Sequence, residues 1–380
     1  MKISCLQENL SRSLAVVGRA VATRATLPVT QNVLLSVDQS MLKLSATNLE
    51  VAITTWTGAM IEEEGAITVP ARLLTEFVSS LPNDKIDLEI QPGSSVLQLS
   101  CDRSKATIHG TDANEFPPIP TVEDGVSAQV DPLVFKAAIA RVAFAAATEE
   151  SRPVLTGVEL KVQGDRFSLA AADGFRLAVH HGALLSPVDS EIKVIIPART
   201  LNELNRLLGD QEEPVDIMMT PAKGQVMFRI RGRETVEVVS QLLQGAFPNY
   251  EQLIPDHHDT RAILDLPALL RAVRTAAIFA RDGSNIIRLE LVPSNGGGGK
   301  VVISAKSEEV GDNRDEVDAD SIEGNEGKIA FNSRYLLDVL TVLEKGKVAL
   351  ETTSSSSPGV FRPTDSEDYV HVVMPMFVQW

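Results

Sequence analysis

A short segment recurs along the chain at intervals of about one domain length, and this repetition limits the possible folds more than any other feature. Its first copy, Thr68–Phe77, reads TVPARLLTEF, and Ile195–Leu204 reads IIPARTLNEL. A fainter third copy, Ile329–Val339, reads IAFNSRYLLDV. Successive copies are 127 and 135 residues apart. The repetition predicts one structural unit used three times.

A second marker repeats with the same period. The segment Asp131–Ala145 resembles Asp265–Ala280, and the match places Lys136 opposite Arg271 at the spacing of 135 residues. Short unrelated matches occur by chance, but two markers with one period favour a true internal repeat.

Proline-containing linkers separate the units. They are Phe116–Gly125 and Phe247–Asp259, and each begins with Phe-Pro. Because proline fixes φ, such linkers are stiff. We therefore predict three domains, at residues 1–122, 127–250 and 258–380.

Each unit combines two helical patterns with a series of short strands. Apolar residues at three- to four-residue spacing predict six helices, at residues 7–24, 71–81, 131–147, 198–209, 265–281 and 332–344. Alternating or β-branched runs, such as Val33–Val37 and Val226–Ile230, predict about eight strands per unit. The predicted fold class is α+β, with helices covering one face of antiparallel sheets.

The net charge of −16 argues against a polyanionic partner, but the charge is unevenly distributed. The six predicted helices hold 12 Lys and Arg and only 7 Asp and Glu. The rest of the chain holds 23 basic and 44 acidic residues. Basic residues are thus concentrated on helices, which suits contact with phosphates, although charged helices are also common without such a role.

The repeated segment carries an arginine followed four residues later by a carboxylate in all three copies. These pairs are Arg72/Glu76, Arg199/Glu203 and Arg334/Asp338. On a helix this spacing can form an ion pair of about 0.2–0.5 kcal/mol. Alternatively, the arginines form a row of cations facing phosphate, as sequence-independent binding to DNA requires. The sequence leaves both interpretations open.

One segment, Ser307–Gly327, is strongly acidic. It lacks the residue spacing of a calcium-binding loop, because Asp318 and Asp320 are followed by Ile322. We expect a solvated loop or the exposed edge of a sheet.

No motif typical of catalysis or metal binding occurs in the sequence. It lacks an HExxH motif, a GxSxG elbow, a phosphate-binding loop and a dinucleotide fingerprint. The pairs His180–His181 and His257–His258 stand in turn-like stretches, so we expect them in surface loops. Cys5 and Cys101 lack CxxC spacing and are expected to be buried, reduced thiols. We expect no catalysis, no cofactor and no metal; the alternative is a triplicated α+β enzyme or small-molecule binder.

The beginning of the sequence indicates where the protein works. Met1 leads directly into an amphipathic pattern without a basic, apolar leader, and no apolar run is long enough to cross a bilayer. We therefore expect a cytoplasmic protein with no membrane partner.

Short motifs spread over the whole chain resemble those of one protein family. They are Met1-Lys2-Ile3, Thr26-Leu27-Pro28, Val69-Pro70-Ala71-Arg72, ADGFRL at Ala172–Leu177, FPNY at Phe247–Tyr250 and YVHVVMPM at Tyr369–Met376. In type and order they resemble the bacterial DNA polymerase III beta subunit, the sliding clamp. The Asp-Gly-x-Arg-Leu and Met-Pro-Met motifs are the most specific of the set.

The resemblance implies a ring-shaped homodimer of six similar domains, with twelve helices around a channel. Six helices, each about 10 Å wide, would enclose only about 9 Å, whereas twelve enclose roughly 28 Å. A DNA duplex is about 20 Å across, so two chains closing head to tail could encircle it and one chain could not.

Such a ring is a nucleoid-associated processivity factor, without catalysis of its own. It slides on duplex DNA and tethers the replicative polymerase. The resemblance also implies that the clamp loader, other polymerases and repair proteins bind it through short peptides with Leu-Phe-like anchors.

The resemblance further implies three sets of site residues. Channel cations are Arg24, Arg72, Arg199 and Arg152, to which position in the repeat adds Arg12, Lys136, Arg271 and Arg334. A peptide pocket between the second and third domains is lined by Leu155, Ala172, Gly174, Arg176, Leu177, Pro248, Leu253, Val372, Met374, Pro375 and Met376. The dimer interface sets Arg103, Lys105 and Ile108 against Ile278 and Phe279. Flexible thioethers and aliphatic walls can repack around many apolar peptides.

The sequence departs from the family pattern near the pocket. Ala172 stands where Thr is usual, and Phe175 stands where His or Tyr is frequent. Phe377–Trp380 replaces the common Arg-Leu ending, and the loop Glu149–Pro153 lacks the tyrosines of some members. These departures leave the peptide specificity open and admit a clamp paralogue with a resistance or repair role as a second alternative.

Overall fold

The chain forms two compact units. The computed structural model describes residues 1–24, 27–91, 93–122, 125–149, 151–209, 211–220, 222, 224–281, 284–294 and 298–380, so residue 26 of the second motif and residue 150 of the loop 149–153 lie outside it. One unit comprises Met1–Val134, Leu184–Val188 and Arg199–Leu242. The other comprises Phe135–Ala183, Asp189–Ala198 and Leu243–Trp380.

All six predicted helices form. They are α1 (Gln7–Val17), α2 (Ala71–Ser80), α3 (Pro132–Val142), α4 (Ala198–Leu207), α5 (Leu266–Ala280) and α6 (Ser333–Leu343). Each buries one apolar stripe, such as Leu10, Leu14 and Val17 of α1, and exposes the opposite face. Burial of this stripe, rather than intrinsic propensity, stabilises helices of this length.

Two helices end earlier than their periodicity indicates. α1 ends at Val17, not near residue 24, and a 3-10 turn over Gly18–Ala20 precedes extended Val21. α3 ends at Val142, not near residue 147, and also continues as a 3-10 turn. Because residues i and i+3 share a side in both helix types, apolar spacing alone does not separate them.

The described residues form 23 strands. The first nine are β1 (Lys2–Leu6), β2 (Asn32–Asp38), β3 (Met41–Thr47), β4 (Val51–Thr57), β5 (Met60–Glu63), β6 (Ala66–Pro70), β7 (Lys85–Ile90), β8 (Val96–Cys101) and β9 (Ser104–His109). The middle repeat contributes β10 (Val126–Val130), β11 (Gly157–Ala172), β12 (Arg176–Pro197), β13 (Val215–Thr220), β14 (Gln225–Arg231) and β15 (Thr235–Gln241). The last repeat contributes β16 (Thr260–Asp265), β17 (Ile286–Pro293), β18 (Gly299–Ser307), β19 (Gly311–Gly324), β20 (Gly327–Asn332), β21 (Lys347–Thr352), β22 (Gly359–Pro363) and β23 (Tyr369–Val373).

The strands form three sheets. The presence of six helices beside these antiparallel sheets confirms the predicted α+β class. The first unit contains a five-stranded sheet in the order β5-β1-β7-β8-β9 and an eight-stranded sheet in the order β10-β13-β14-β15-β4-β3-β2-β6. The second unit is built on a ten-stranded sheet in the order β11-β12-β23-β22-β21-β16-β19-β18-β17-β20. The two cysteines are free and buried, as predicted.

The last strand of a later repeat completes a sheet of the repeat before it. β15 of the middle repeat pairs antiparallel with β4 of the first, through partners such as Val238 and Ile53. β23 of the last repeat pairs in the same way with β12 of the middle one, through Val372 and Leu177. The compact units therefore do not coincide with the sequence repeats, because the sheets run across the repeat boundaries.

The acidic segment is a strand, and the expectation of a loop or exposed edge is only partly correct. Ala319 of β19 pairs on both sides, with β16 and with β18, and residues 321–324 pair with β16. Residues 311–318 pair with β18, and no described residue pairs with their other side. Val317, Ala319 and Ile322 are buried while the acidic side chains between them face solvent, so the strand alternation was hidden by the charge.

Candidate functional site

A tight turn joins β11 to β12 and carries the Asp-Gly motif. Gly174 has φ of +94°, a conformation that favours glycine. The carboxylate of Asp173 accepts hydrogen bonds from the backbone N–H groups of Phe175 at 2.9 Å and Arg176 at 3.0 Å. These bonds make an Asx turn, which fixes the direction of the two side chains that follow.

The Arg176 guanidinium is held on several sides. Its Nε donates to Asp173 Oδ2 at 3.0 Å and its Nη2 to the carbonyl oxygen of Phe144 at 2.9 Å, while Nη1 pairs with Asp338 of α6. The guanidinium carbon also lies 4.8 Å from the centre of the Tyr335 ring and 5.3 Å from that of Phe144. With 11% of its side chain exposed, Arg176 is a nearly buried cation whose donors have partners.

Beside this turn lies an apolar surface built from neighbouring strands. Its buried members come from β11, β12, β22 and β23, and are Ala170, Ala172, Leu177, Val179, Val360, Val370 and Val372. Phe247, Tyr250 and Ile254, on the segment before β16, are half-buried against it. The buried members of this surface are all aliphatic, which suits an apolar ligand that needs few hydrogen bonds.

The exposed rim of this surface comes from the segments on either side. Leu253 and Pro248 are exposed, Met374 is 43% exposed, and Met376 is half-buried. Pro375 is buried. The backbone N–H of Met374 donates a hydrogen bond to the carbonyl oxygen of Phe175 at 2.8 Å, which fixes the Met374 backbone beside the turn.

The remaining predicted pocket residues lie around the same turn. Leu155 is buried in the 3-10 turn Pro153–Thr156. Arg152, predicted as a DNA contact, lies against Gly174, since a Cβ built on that glycine would be 3.2 Å from Arg152 Nη2. The structure thus brings all the predicted pocket residues into one unit, and it adds Arg152, Phe144, Tyr335 and Asp338 to their surroundings.

The structure shows the course of the C-terminal tail, which in the sequence was only a departure from the family pattern. The N–H of Met376 bonds to the carbonyl oxygen of Ala330 at 2.8 Å, and Lys328 Nζ lies 5.8 Å from the Trp380 ring centre. The tail therefore runs beside β20, whose other side pairs with β17. Phe377 remains 84% exposed.

Two buried histidines lie in the strands that carry the apolar surface. His180 is buried in β12, so its predicted surface loop is wrong, whereas His181, His257 and His258 are exposed. Burial lowers the pKa of His180 to about 4 and that of His371 to about 3, with nearby arginines adding to the effect. His371 stacks on Phe144 at 5.5 Å, so neutral imidazoles form part of the packing behind Arg176.

Four of the predicted channel cations, Arg72, Arg199, Arg271 and Arg334, are on exposed helix faces, whereas Arg24 and Arg152 lie outside the helices. The ion-pair partners of the helical arginines differ. Arg72 pairs with Glu76 at 2.8 Å, as one interpretation of the repeat holds. Arg199 instead pairs with Glu50, and Arg334 forms no ion pair with any residue that the structure describes. Helical spacing therefore fixes which residues are neighbours, whereas partners distant in sequence decide which of them pair.

Other predicted cations are also placed by the structure. Arg12 on α1 is half-buried and pairs with Glu8. Within the described parts of the chain, four others lack an ion pair; they are Arg24, Lys136, Arg152 and Arg271. These four residues therefore have charge that no described carboxylate neutralises.

The predicted dimer residues occur at a strand edge and on a helix. Arg103 and Lys105 are exposed beside or on β9, which pairs only with β8 among the described strands. Ile108 is only 3% exposed, so within one chain it is a core residue. Ile278 is 58% exposed and Phe279 half-buried on α5, where a cavity of about 460 Å³ is lined by Ile278, Arg271 and Arg274.

The described residues show neither a metal-binding cluster nor a membrane-spanning helix. No group of three or more His, Cys, Asp or Glu side chains in the described ranges could hold a metal ion. None of the helices traced in the structure has the length and apolar character needed to span a membrane.

Comparison with known proteins gave one family. Models of the DNA polymerase III beta subunit N-terminal, central and C-terminal domains match residues 1–120, 129–249 and 251–377. The beta sliding clamp of Synechococcus elongatus is 34% identical over 380 residues, covering 99% of both chains. That of Bacillus subtilis is 30% identical over 385 residues, also covering 99% of both.

Solved structures similar to this fold belong to the same family. The crystal structure of the DNA polymerase sliding clamp from Bacillus subtilis superposes with a TM-score of 0.93 at 30% identity, covering 100% of both chains. The DNA polymerase III subunit beta from Pseudomonas aeruginosa gives a TM-score of 0.92 at 32% identity and the same coverage. A sliding clamp from Pseudomonas aeruginosa has also been crystallised bound to griselimycin; it gives a TM-score of 0.89 at 32% identity and covers 100% of both chains.

Proposed function

Because the chain belongs to the DNA polymerase III beta subunit family, the sliding clamps, we propose that it is a non-catalytic processivity factor that encircles duplex DNA as a homodimeric ring. It would tether the replicative polymerase to DNA and slide without reading sequence. We also propose domain boundaries at residues 1–122, 127–250 and 258–380.

The observation that carries the ring proposal is the way sheets cross the repeat boundaries. β15 completes the sheet of β4, and β23 completes that of β12. By the same rule two strand edges are left over: β9, the last strand of the first repeat, and residues 311–318 of β19 in the last repeat, which occupy the position of β4 and β12. A head-to-tail contact between two copies would use both edges twice and close the assembly.

The charges on the two free edges are complementary. Arg103, Lys105 and His109 lie at β9, whereas residues 311–318 include Asp312, Asp315, Glu316 and Asp318 with one arginine. Opposite charges across an interface steer association and suppress wrong pairings. The exposed Ile278 and half-buried Phe279 would add an apolar contact beside the strands.

Contact with DNA would come mainly from the exposed helix faces, with Arg24 and Arg152 contributed by loops. The six helices contain nine Lys and Arg against four Asp and Glu, although the whole chain has a net charge of −16. Weak contacts to phosphate from Arg24, Arg72, Arg199 and Arg334, helped by Arg12, Lys136, Arg152 and Arg271, would hold the duplex without selecting a base.

The apolar surface beside the Asp-Gly turn would bind partner peptides. An apolar anchor would pack on Leu177 and Val372 between Met374 and Leu253, and polar peptide groups would meet Arg152. The clamp loader, the replicative polymerase, other polymerases and repair proteins would share this pocket, in the cytoplasm at the nucleoid.

The test is retention on circular DNA. The protein is loaded on nicked circular duplex with a clamp loader, and half of the sample is then cut once with a restriction enzyme. A ring stays on the circle and slides off the linear product. Equal retention on both would overturn topological tethering, and a solution mass near 41.0 kDa rather than twice that value would overturn the dimer.

A further inference from the structure

Asp338 pairs across the fold rather than along its own helix. It stands four residues after Arg334 on α6, so the two side chains lie on one face, where an intrahelical pair is possible. Its carboxylate instead accepts a hydrogen bond from Arg176 Nη1, a residue 162 positions away in sequence. Arg334 is left exposed and without an ion pair among the described residues.

A second residue of α6 contacts the same turn. The ring of Phe175 stacks on Tyr335 with centroids 6.1 Å apart and an interplanar angle of 18°. The Arg176 guanidinium also contacts Tyr335, with its central carbon 4.8 Å from the centre of the ring. One helical turn of α6 therefore braces both residues that follow Gly174.

We propose that Asp338 is a positioning residue with two effects on binding. By holding Arg176, it keeps the Asp173–Phe175 turn in the shape that the peptide pocket needs. By pairing with Arg176 instead of Arg334, it leaves the Arg334 guanidinium available to a phosphate. This inference rests on the proposed function, and it concerns a residue outside both the pocket and the set of channel cations.

Competition for one carboxylate couples the two sites. A change that releases Asp338 from Arg176 lets it turn to Arg334, whose cation it then neutralises. The pocket and the DNA-facing side of α6 thus share an element with two discrete arrangements, and any coupling in affinity must be reciprocal.

The first variant is Asp338→Asn. It keeps the size of the side chain but removes the charge that holds Arg176, so affinity for a fluorescent peptide ending in Leu-Phe should fall roughly threefold to tenfold. Affinity for a labelled short DNA duplex should stay the same or rise, because a carboxylate beside Arg334 is lost. A general folding defect would lower both affinities, so a loss confined to peptide binding separates positioning from damage.

The second variant is Arg176→Gln, measured alone and with Asp338→Asn. Alone it should weaken peptide binding and also DNA binding, since freed Asp338 pairs with Arg334 and the salt dependence loses about 0.9 in slope for that contact. The double variant should recover the DNA affinity of the wild type but not its peptide affinity. Should Arg176→Gln unfold, Asp338→Asn provides the test by itself.

Glu76→Gln is the matched control, because Glu76 stands at the same position of the repeat and pairs with Arg72 on its own helix at 2.8 Å. It should raise DNA affinity and leave peptide affinity unchanged. Wild-type-like peptide binding by Asp338→Asn, or no recovery of DNA binding in the double variant, would overturn the inference alone. A wild-type protein that binds neither probe would overturn the proposed function and the inference with it.

Discussion

The backbone N–H of Met374 donates a hydrogen bond to the carbonyl oxygen of Phe175 at 2.8 Å. This bond joins the C-terminal segment to the Asp-Gly turn without using either side chain. The Met374 thioether and the Phe175 ring therefore stay free to vary in position or identity. A pocket built in this way can keep its frame while its lining adapts to different peptides.

Truncation of the rim should weaken peptide binding without unfolding the protein. Met374→Ala removes a partly exposed thioether, and we expect affinity for an apolar peptide to fall about fivefold to thirtyfold, the loss expected for one buried apolar contact of about 1–2 kcal/mol. Titration by fluorescence anisotropy measures the change. Met60→Ala, at an exposed methionine in β5, is the control, and equal affinities for both variants would argue against the pocket.

Truncation of Leu177, a buried residue of the pocket, should lower both the stability of the protein and its affinity for peptide. Leu177 is buried between strands, so Leu177→Ala should cost about 2–5 kcal/mol in free energy of unfolding as well as weakening peptide binding. Urea denaturation followed by circular dichroism measures the first effect. A loss of binding with no change in stability would mean that Leu177 touches ligand but not the core.

Charge reversal at the strand edge should separate the dimer. Lys105→Glu on β9 would face the acidic edge of β19 in the proposed contact, and like charges directly opposite are destabilising. We expect the solution mass to move from twice 41.0 kDa toward 41.0 kDa in light scattering. Lys85→Glu, on the interior strand β7 of the same sheet, should leave the mass unchanged; a dimeric Lys105→Glu protein would contradict the edge-to-edge contact.

The salt dependence of DNA binding should report individual helix cations. Arg199→Ala should reduce the slope of log affinity against log salt by about 0.9, the value for one lost phosphate contact on duplex DNA. Arg166→Ala removes an exposed arginine from β11 instead of a helix, and its slope should match that of the wild type. Identical slopes for the two variants would remove Arg199 from the DNA-facing set.

Acid should destabilise the protein partly through its buried histidines. The folded-state pKa of His371, about 3, lies below that of an unfolded histidine, so the unfolded chain binds more protons below about pH 6.5. Stability is therefore complete above that pH and falls as the pH drops toward the folded value. Between pH 7 and 5 the loss is about 2 kcal/mol for one such histidine.

The comparison that isolates this effect uses His371→Gln. Its stability at pH 7 will be lower because Tyr369 loses a 3.1 Å contact with the imidazole Nδ1. Its further loss between pH 7 and 5, from urea titrations at both pH values, should nevertheless be smaller than that of the wild type. An equal loss would show that His371 does not titrate on unfolding.

Sequence periodicity correctly predicted the features that depend on residues close together in the sequence. The apolar stripes identified all six helices, because such a stripe depends on residues within a few helical turns. The ends of α1 and α3 were less well defined, since 3-10 turns continue the same apolar spacing.

What the sequence missed depends on contacts between distant residues. His180 reads as part of a polar turn, but pairing of β12 with β23 sets it opposite Tyr369 in the core. Arg199 and Glu203 have ideal helical spacing, yet Glu50 takes the arginine. Strand register and side-chain competition settle such positions, and neither is visible in a window of ten residues.

Strand pairing between repeats has a consequence for how the chain could be rearranged. β15 joins β4, and β23 joins β12, through backbone hydrogen bonds that do not depend on the peptide link between repeats. If copies join through β9 and β19 in the same manner, every junction is alike, whether or not a linker crosses it. A circularly permuted gene that opens one linker and closes another would then encode the same closed assembly.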